Sequence, residues 1–199
     1  MIRWISSALL KIFGWHVVGE PAAEKKMVII GAPHTSNWDF PLSLLSLSAL
    51  GLRFSWVGKH SLFKPPFGIL FKAIGGLPVD RSRRTAFLDN IAKEFQVREH
   101  LLLAIAPEGT RSKQNHWKAG FYFIAVRAEV PICLGFVDYS SKTVGVGPHF
   151  MPSGDINRDF QIIKNFYQTK RGKFPERESE LKLREKEMNL LSKETGSSS

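Results

Sequence analysis

The chain has 199 residues, 43% of them hydrophobic and 23% charged, a length and balance suited to one domain with a sizeable core. Its 28 Lys and Arg against 18 Asp and Glu give a formal net charge of +10, which favours anionic partners: nucleic acid, anionic lipid or a phosphorylated substrate. Cys133 is the only cysteine, so the chain forms neither an intrachain disulfide nor a cysteine-based zinc cluster, and a reducing compartment suits it.

The opening stretch, MIRWISSALLKIFGWHVVG, begins basic, but Lys11 interrupts its apolar run and no small-residue cleavage site follows, so a secretory signal is not expected. Nor is a spanning helix expected, because no run of about 18 uninterrupted apolar residues occurs. Ile2, Ile5, Leu9, Ile12 and Phe13 recur at three- and four-residue steps. That period predicts an amphipathic helix, and residues 1–19 are assigned to it. Two fates compete for its apolar face. It docks on its own domain, or it lies in a membrane interface, where Trp4, Arg3 and Lys11 are favoured.

After Gly19 and Pro21, short apolar runs alternate with longer helical patterns. A strand is predicted at 27–30, a helix at 42–50 and a strand at 54–57. Pro65, Pro66 and Gly68 break the chain before a short helix through Lys72. Then come a strand at 77–79, a helix at 85–97 and an apolar run at 101–106 ended by Pro107. A helix at 121–128 and strands at 132–137 and 143–146 follow. Apolar strands separated by helices indicate an α/β fold, a single domain with a mostly parallel central sheet flanked by helices. It is assigned to residues 20–169, closing with Phe160, Ile163, Phe166 and Tyr167 packed on the domain. Residues 170–199 form a charged tail, expected to be partly helical with a disordered end.

Functional sites in such sheets lie on the loops leaving the carboxyl ends of strands. APHTSNWD and APEGTRS each follow an apolar run directly. In the first, Asp39 lies five residues after His34, which a regular helix would place about 140° away, so the two meet only if the chain turns between them. Pro33, Ser36 and Asn37 supply turn chemistry, and Pro41 places Asp39 near a helix start. Asp39 is then a helix cap, or it orients one imidazole nitrogen and leaves the other as a base for a substrate hydroxyl. The remaining histidines, His16, His60, His100, His116 and His149, read as surface or core residues. No nucleophile stands out: GxSxG is absent, Cys133 lies in an apolar strand and Ser36 belongs to the turn.

HTSNWD resembles the histidine-four-residues-aspartate motif of the glycerolipid acyltransferases, the family of 1-acylglycerol-3-phosphate acyltransferase. Three further stretches resemble the family's later motifs in order. They are KHSLFKPPFGILFKAIGGLPVDRS, with Lys59, Gly76, Pro78 and Arg81; APEGTRS, with Glu108, Gly109, Thr110 and Arg111; and VPICLGF, with Pro131. The likeness runs from Val28 to Phe136, and Pro33 departs from it, standing where many members have Asn.

The resemblance implies acyl transfer from acyl-CoA or acyl carrier protein to the hydroxyl of lysophosphatidate, with His34 and Asp39 as the catalytic pair. Lys59, Arg81, Glu108, Gly109, Thr110 and Arg111 are the implied substrate-binding residues, the guanidinium forks matching a phosphate. Glu108 holds Arg111 or binds an acceptor hydroxyl. Oxyanion donors are sought among the backbone N–H groups of the His34 turn and the Gly109 loop. Neither a cofactor nor a metal is expected. A lysolipid substrate also favours the interfacial fate of the first helix, on the cytoplasmic, inner face of a membrane. The alternatives are another acceptor, such as a lyso-aminolipid, or a non-catalytic basic module for lipid or nucleic acid. The second lacks aromatic RNA-binding signatures, and a binding module has no need of a histidine–aspartate pair.

Overall fold

Alternate residues of one strand set the two faces of the molecule. In this computed structural model, which describes residues 2–20, 24–79 and 84–184, the strand β2 (Lys26–Ala32) lies in the middle of the sheet. Val28 and Ile30 point into a core shared with α4 (Arg84–Val97), α5 (Gly120–Ala128) and α6 (Ile156–Tyr167). Met27 and Ile29 point the other way, onto Leu47 and Leu50 at the end of α2 (Asp39–Ala49). Burial on both faces is why the central strands read as unbroken apolar runs rather than alternating ones.

The other strands are β1 (His16–Val18), β3 (Phe54–Lys59), β4 (Gly76–Val79), β5 (Leu101–Ile105), β6 (Ile132–Asp138) and β7 (Thr143–Phe150). The sheet order is β1-β7-β6-β2-β5-β3-β4. Strands β6, β2, β5, β3 and β4 are mutually parallel, whereas β7 turns back antiparallel to β6 and β1 runs parallel to β7. The parallel strands therefore deliver the chain after Ala32, Lys59, Val79, Ile105 and Asp138 to one edge. Tyr167 locks the centre from α6: its hydroxyl lies 2.9 Å from the Ile30 carbonyl and 2.8 Å from that of Gly135.

The expected single α/β domain with a mostly parallel, helix-flanked sheet is the observed one. Two details differ. The first helix, α1 (Ile2–Ile12), stops early, and residues 16–18, grouped with it in the sequence, form the edge strand β1. That strand has three residues and no buried face, so it carries no alternation to read. In the charged tail the described residues form a 3-10 turn at Pro175–Arg177 and then continue without helix to residue 184, bending at Leu181, with Leu183 buried against Trp117.

Helix α1 rests on α2 and the β6–β7 end of the sheet through Ser6 and Leu10, with Leu10 in a cluster with Trp15, Val137 and Val144. Its long apolar stripe is not the face that docks. Ile2, Ile5, Ile12 and Phe13 stay exposed, Ile12 to 75%. The small helix α3 (Gly68–Ala73) leaves Ile69 and Leu70 exposed as well, next to Phe67. No helix among the described residues is long and apolar enough to cross a membrane.

Candidate active site

The chain leaves β2 at Ala32 and must reverse to start α2, and the turn between them is held by one carboxylate. Asp39, buried in the first turn of α2, accepts hydrogen bonds from the Thr35 and Ser36 N–H groups at 2.9 Å each through Oδ2. The same oxygen lies 3.1 Å from His34 Nδ1. Asp39 thus reaches back to the residues before it instead of capping α2, whose N-cap, Trp38, makes no side-chain cap bond. With a proton on Nδ1 bonded to Asp39, the lone pair of Nε2 is free to act as a base, and His34 lines a cavity.

The second oxygen of Asp39 is also occupied. The Tyr139 hydroxyl donates to Oδ1 at 2.9 Å. Burial, the Asp39 charge and that hydrogen bond push the Tyr139 phenol upward, so it stays a protonated donor. Tyr139 follows directly on β6 and is seated by its own N–H on the Arg171 carbonyl and by an edge-on contact with Trp15. The adjacent turn is braced by Asp138. Burial opposes ionisation there, but hydrogen bonds from Ser140, Ser141 and the Arg171 N–H outweigh it and hold the carboxyl below its ordinary range.

Glu108, on the loop after β5, stands beneath the histidine and not on the cavity wall. Its Oε1 accepts the His34 N–H at 2.6 Å and its Oε2 accepts the Ser179 hydroxyl at 2.6 Å. Burial raises the carboxyl above its ordinary value of 4.5, against the opposing hydrogen bonds from Ser179 and His34. An acid whose folded-state pKa is raised contributes its stabilisation fully below its unfolded value and loses it as pH rises through the raised one. We therefore expect Glu108→Gln, which cannot ionise, to gain in melting temperature relative to wild type as pH rises through that window from 4.5 upward. A melting difference that is flat across this range would contradict the assignment.

The cavity holds about 900 Å³ at the carboxyl edge of the sheet. Its apolar wall includes Phe40, Leu47, Phe54, Trp56 and Phe71. Trp56 is the hub of that wall, with Phe40 at 4.8 Å edge-on and Phe63 stacked at 5.7 Å. His34, Lys59, Gly109, Thr110 and Arg111 line the same cavity, so these expected residues come together; Arg81 lies outside the described residues. Lys118 and Arg184 line it too. Gly109 has φ +70°, and a Cβ there would come within 2.7 Å of Lys118 Nζ, so a glycine lets the ammonium lie across the loop. Among the described residues the cavity wall carries four cations, and its one carboxylate, Asp39, is already committed.

Several backbone donors considered for an oxyanion are committed as well. The N–H of His34 goes to Glu108, those of Thr35 and Ser36 go to Asp39, and that of Gly109 goes to the Ala106 carbonyl at 3.1 Å. Tyr139, Lys118, Ser179 and Arg184 carry no motif; Lys118 comes in from just beyond the Gly109 loop, whereas contacts between residues far apart in sequence bring the other three to the site. Among the described residues no cluster of three His, Cys, Asp or Glu side chains is placed to hold a metal ion.

The His34 turn and the Glu108 loop sit in a span with known relatives. The family described as Acyltransferase matches residues 15–133. The 1-acyl-sn-glycerol-3-phosphate acyltransferase of Cocos nucifera is 35% identical over 79 residues, covering 37% of this chain and 26% of that protein. The 1-acyl-sn-glycerol-3-phosphate acyltransferase beta of Homo sapiens is 30% identical over 103 residues, 49% of this chain and 37% of the human one. The chain thus spans well under half the length of these two relatives. The crystal structure of the 1-acyl-sn-glycerophosphate acyltransferase PlsC from Thermotoga maritima superposes with a TM-score of 0.56 over 84% of this chain and 77% of that one, at 18% identity, a likeness of fold. The family match runs through β2, the His34 turn, the Glu108 loop and into β6, and on that match the chain belongs to the Acyltransferase family.

Proposed function

We propose that this chain is an O-acyltransferase that moves an acyl group from acyl-CoA or acyl carrier protein to the hydroxyl of lysophosphatidate, forming phosphatidate. The observation that carries the reading is a histidine oriented by a buried carboxylate in the lining of an apolar cavity to which four basic side chains also contribute among the described residues. His34 Nε2 takes the proton of the acceptor hydroxyl as its oxygen attacks the thioester carbonyl. Asp39 balances the imidazolium that forms, and Tyr139 fixes Asp39. When the tetrahedral intermediate collapses, the C–S bond breaks and the thiolate leaves with the proton from His34. The aromatic wall around Trp56 accepts the hydrocarbon of a lipid substrate, and Arg111 and Lys118 receive the phosphate, with Lys59 adding charge further along the wall.

A lysolipid reaches this cavity from a bilayer, and the surface suits one. The exposed apolar stripe of α1 and the exposed Leu62, Phe67, Ile69 and Leu70 beside the cavity supply apolar contact. Residues 40–79 contain no Asp or Glu at all, while Arg53, Lys59, Lys64 and Lys72 fall among them, so this flank attracts anionic headgroups. The enzyme works as a peripheral protein on the inner, cytoplasmic membrane face.

The test is a panel of lysolipid acceptors assayed with acyl-CoA and acyl carrier protein donors, with products read by mass spectrometry. Lysophosphatidate should be converted best, and a lyso-aminolipid converted in its place would reassign the acceptor. Within the panel, Arg111→Lys keeps the charge and loses the planar fork. It should raise KM for lysophosphatidate several-fold and leave monoacylglycerol turnover near wild type. Equal damage to both would remove phosphate recognition from Arg111.

A further inference from the structure

The family match ends at residue 133, yet the segment at 178–184 is built into the site. It is tied down along its length. Ser179 donates to Glu108, and the Glu180 N–H donates to the Gln114 carbonyl at 3.0 Å. The Trp117 N–H donates to the Lys182 carbonyl at 2.8 Å, and Leu183 is buried in the main core. The loop before it is equally close. The Phe174 N–H donates to Thr35 Oγ1, and a Cβ on Gly172 would come within 2.6 Å of that same oxygen. At the end of this strap Arg184 reaches the cavity wall, where its Nε donates to His116 Nε2 at 2.8 Å. That bond uses one of the five guanidinium donors and orients the fork.

We infer that the strap is a recognition element for the acceptor and that Arg184, with Arg111 and Lys118, completes a phosphate subsite on the cavity wall. The inference rests on the proposed acceptor being phosphorylated. Arg111, Lys118 and Arg184 line one cavity, and among the described residues its lining offers no uncommitted carboxylate to them, an arrangement that favours a dianionic group. Among the described residues the hydrogen-bond partner of Arg184 is an imidazole nitrogen and not a carboxylate. Lysophosphatidate ends in such a monoester phosphate; monoacylglycerol, with the same chain and a hydroxyl in place of the phosphate, does not.

The experiment compares those two acceptors, at matched chain length and with one thioester donor, in wild type, Arg184→Gln and His116→Ala. Arg184 is exposed, so Arg184→Gln should melt with wild type. Its KM for lysophosphatidate should rise about 10-fold or more, the loss expected for a charge-assisted hydrogen bond, with kcat close to wild type. Its KM for monoacylglycerol should not move. His116→Ala keeps the charge and frees the fork, so a smaller rise on lysophosphatidate alone is expected. Unchanged KM for lysophosphatidate in Arg184→Gln, or equal losses on both acceptors, would overturn the inference while leaving the proposed activity standing. A wild type that does not distinguish the two acceptors would instead overturn the phosphorylated-acceptor reading, and the subsite with it.

Discussion

His34→Ala should fold normally and lose acyl transfer by about 10²- to 10⁴-fold, the range set by a positioned general base. Normal folding is expected because the turn does not depend on the imidazole. Asp39 still accepts from the Thr35 and Ser36 N–H groups, and Glu108 still accepts from the backbone N–H of residue 34. The loss is expected in kcat, since the ring is asked to act on the attacking hydroxyl and not to hold the lipid. Asp39→Asn should show a smaller loss of kcat, because an amide can keep the turn but cannot balance an imidazolium. Circular dichroism and initial rates on the purified variants decide the matter. A folded His34→Ala protein with near-normal turnover would remove the residue from catalysis.

The second large effect concerns α1. Ile5, Leu9 and Ile12 lie on its outer stripe, 53%, 39% and 75% exposed. Fully desolvating a side chain of this size is worth roughly 1.5–3 kcal/mol, and half-burial of three in an interface leaves about 2–4 kcal/mol. The triple serine variant should therefore partition onto anionic vesicles roughly 30- to 1,000-fold more weakly. Its melting temperature should be unchanged, since helix α1 is held to the domain by Ser6 and Leu10. Activity on vesicle-borne substrate should fall with binding, and activity on a short-chain soluble acceptor should survive. If the variant binds vesicles as wild type does, the stripe has no membrane role; if it melts early, the stripe packs on protein.

The two central features of the site were legible for different reasons. Strands β2, β5 and β6 are buried on both faces, so each prints an unbroken apolar run whose end marks where a functional loop begins. His34 and Asp39 were legible because a proline-bounded turn forces a local pair to meet. What was not legible depends on distance along the chain. Tyr139 meets Asp39 across 100 positions and Ser179 meets Glu108 across 71, and no spacing rule encodes either contact. Glu108 was found as a site residue, but its neighbours were not. The sequence offered Arg111 or a substrate hydroxyl as its partner, and the fold supplies the His34 N–H and Ser179. The reversal of β7 and the addition of β1 to it were hidden because a short edge strand has no buried face to pattern.

The carboxylate of Glu108 also orders events in time. A ribosome releases His34 early, but the partner of its backbone N–H is made 74 residues later, and the hydroxyl that holds that partner another 71 after it. Asp39 likewise waits 100 residues for Tyr139. Closing such long loops is among the slow steps of folding. The contacts that brace the His34 turn from outside it are consequently complete only after residues 139 and 179 have been made. A nascent chain that has made the sheet but not the strap leaves Glu108 without the Ser179 hydroxyl, so the support under the His34 turn is among the last contacts of the described fold to close.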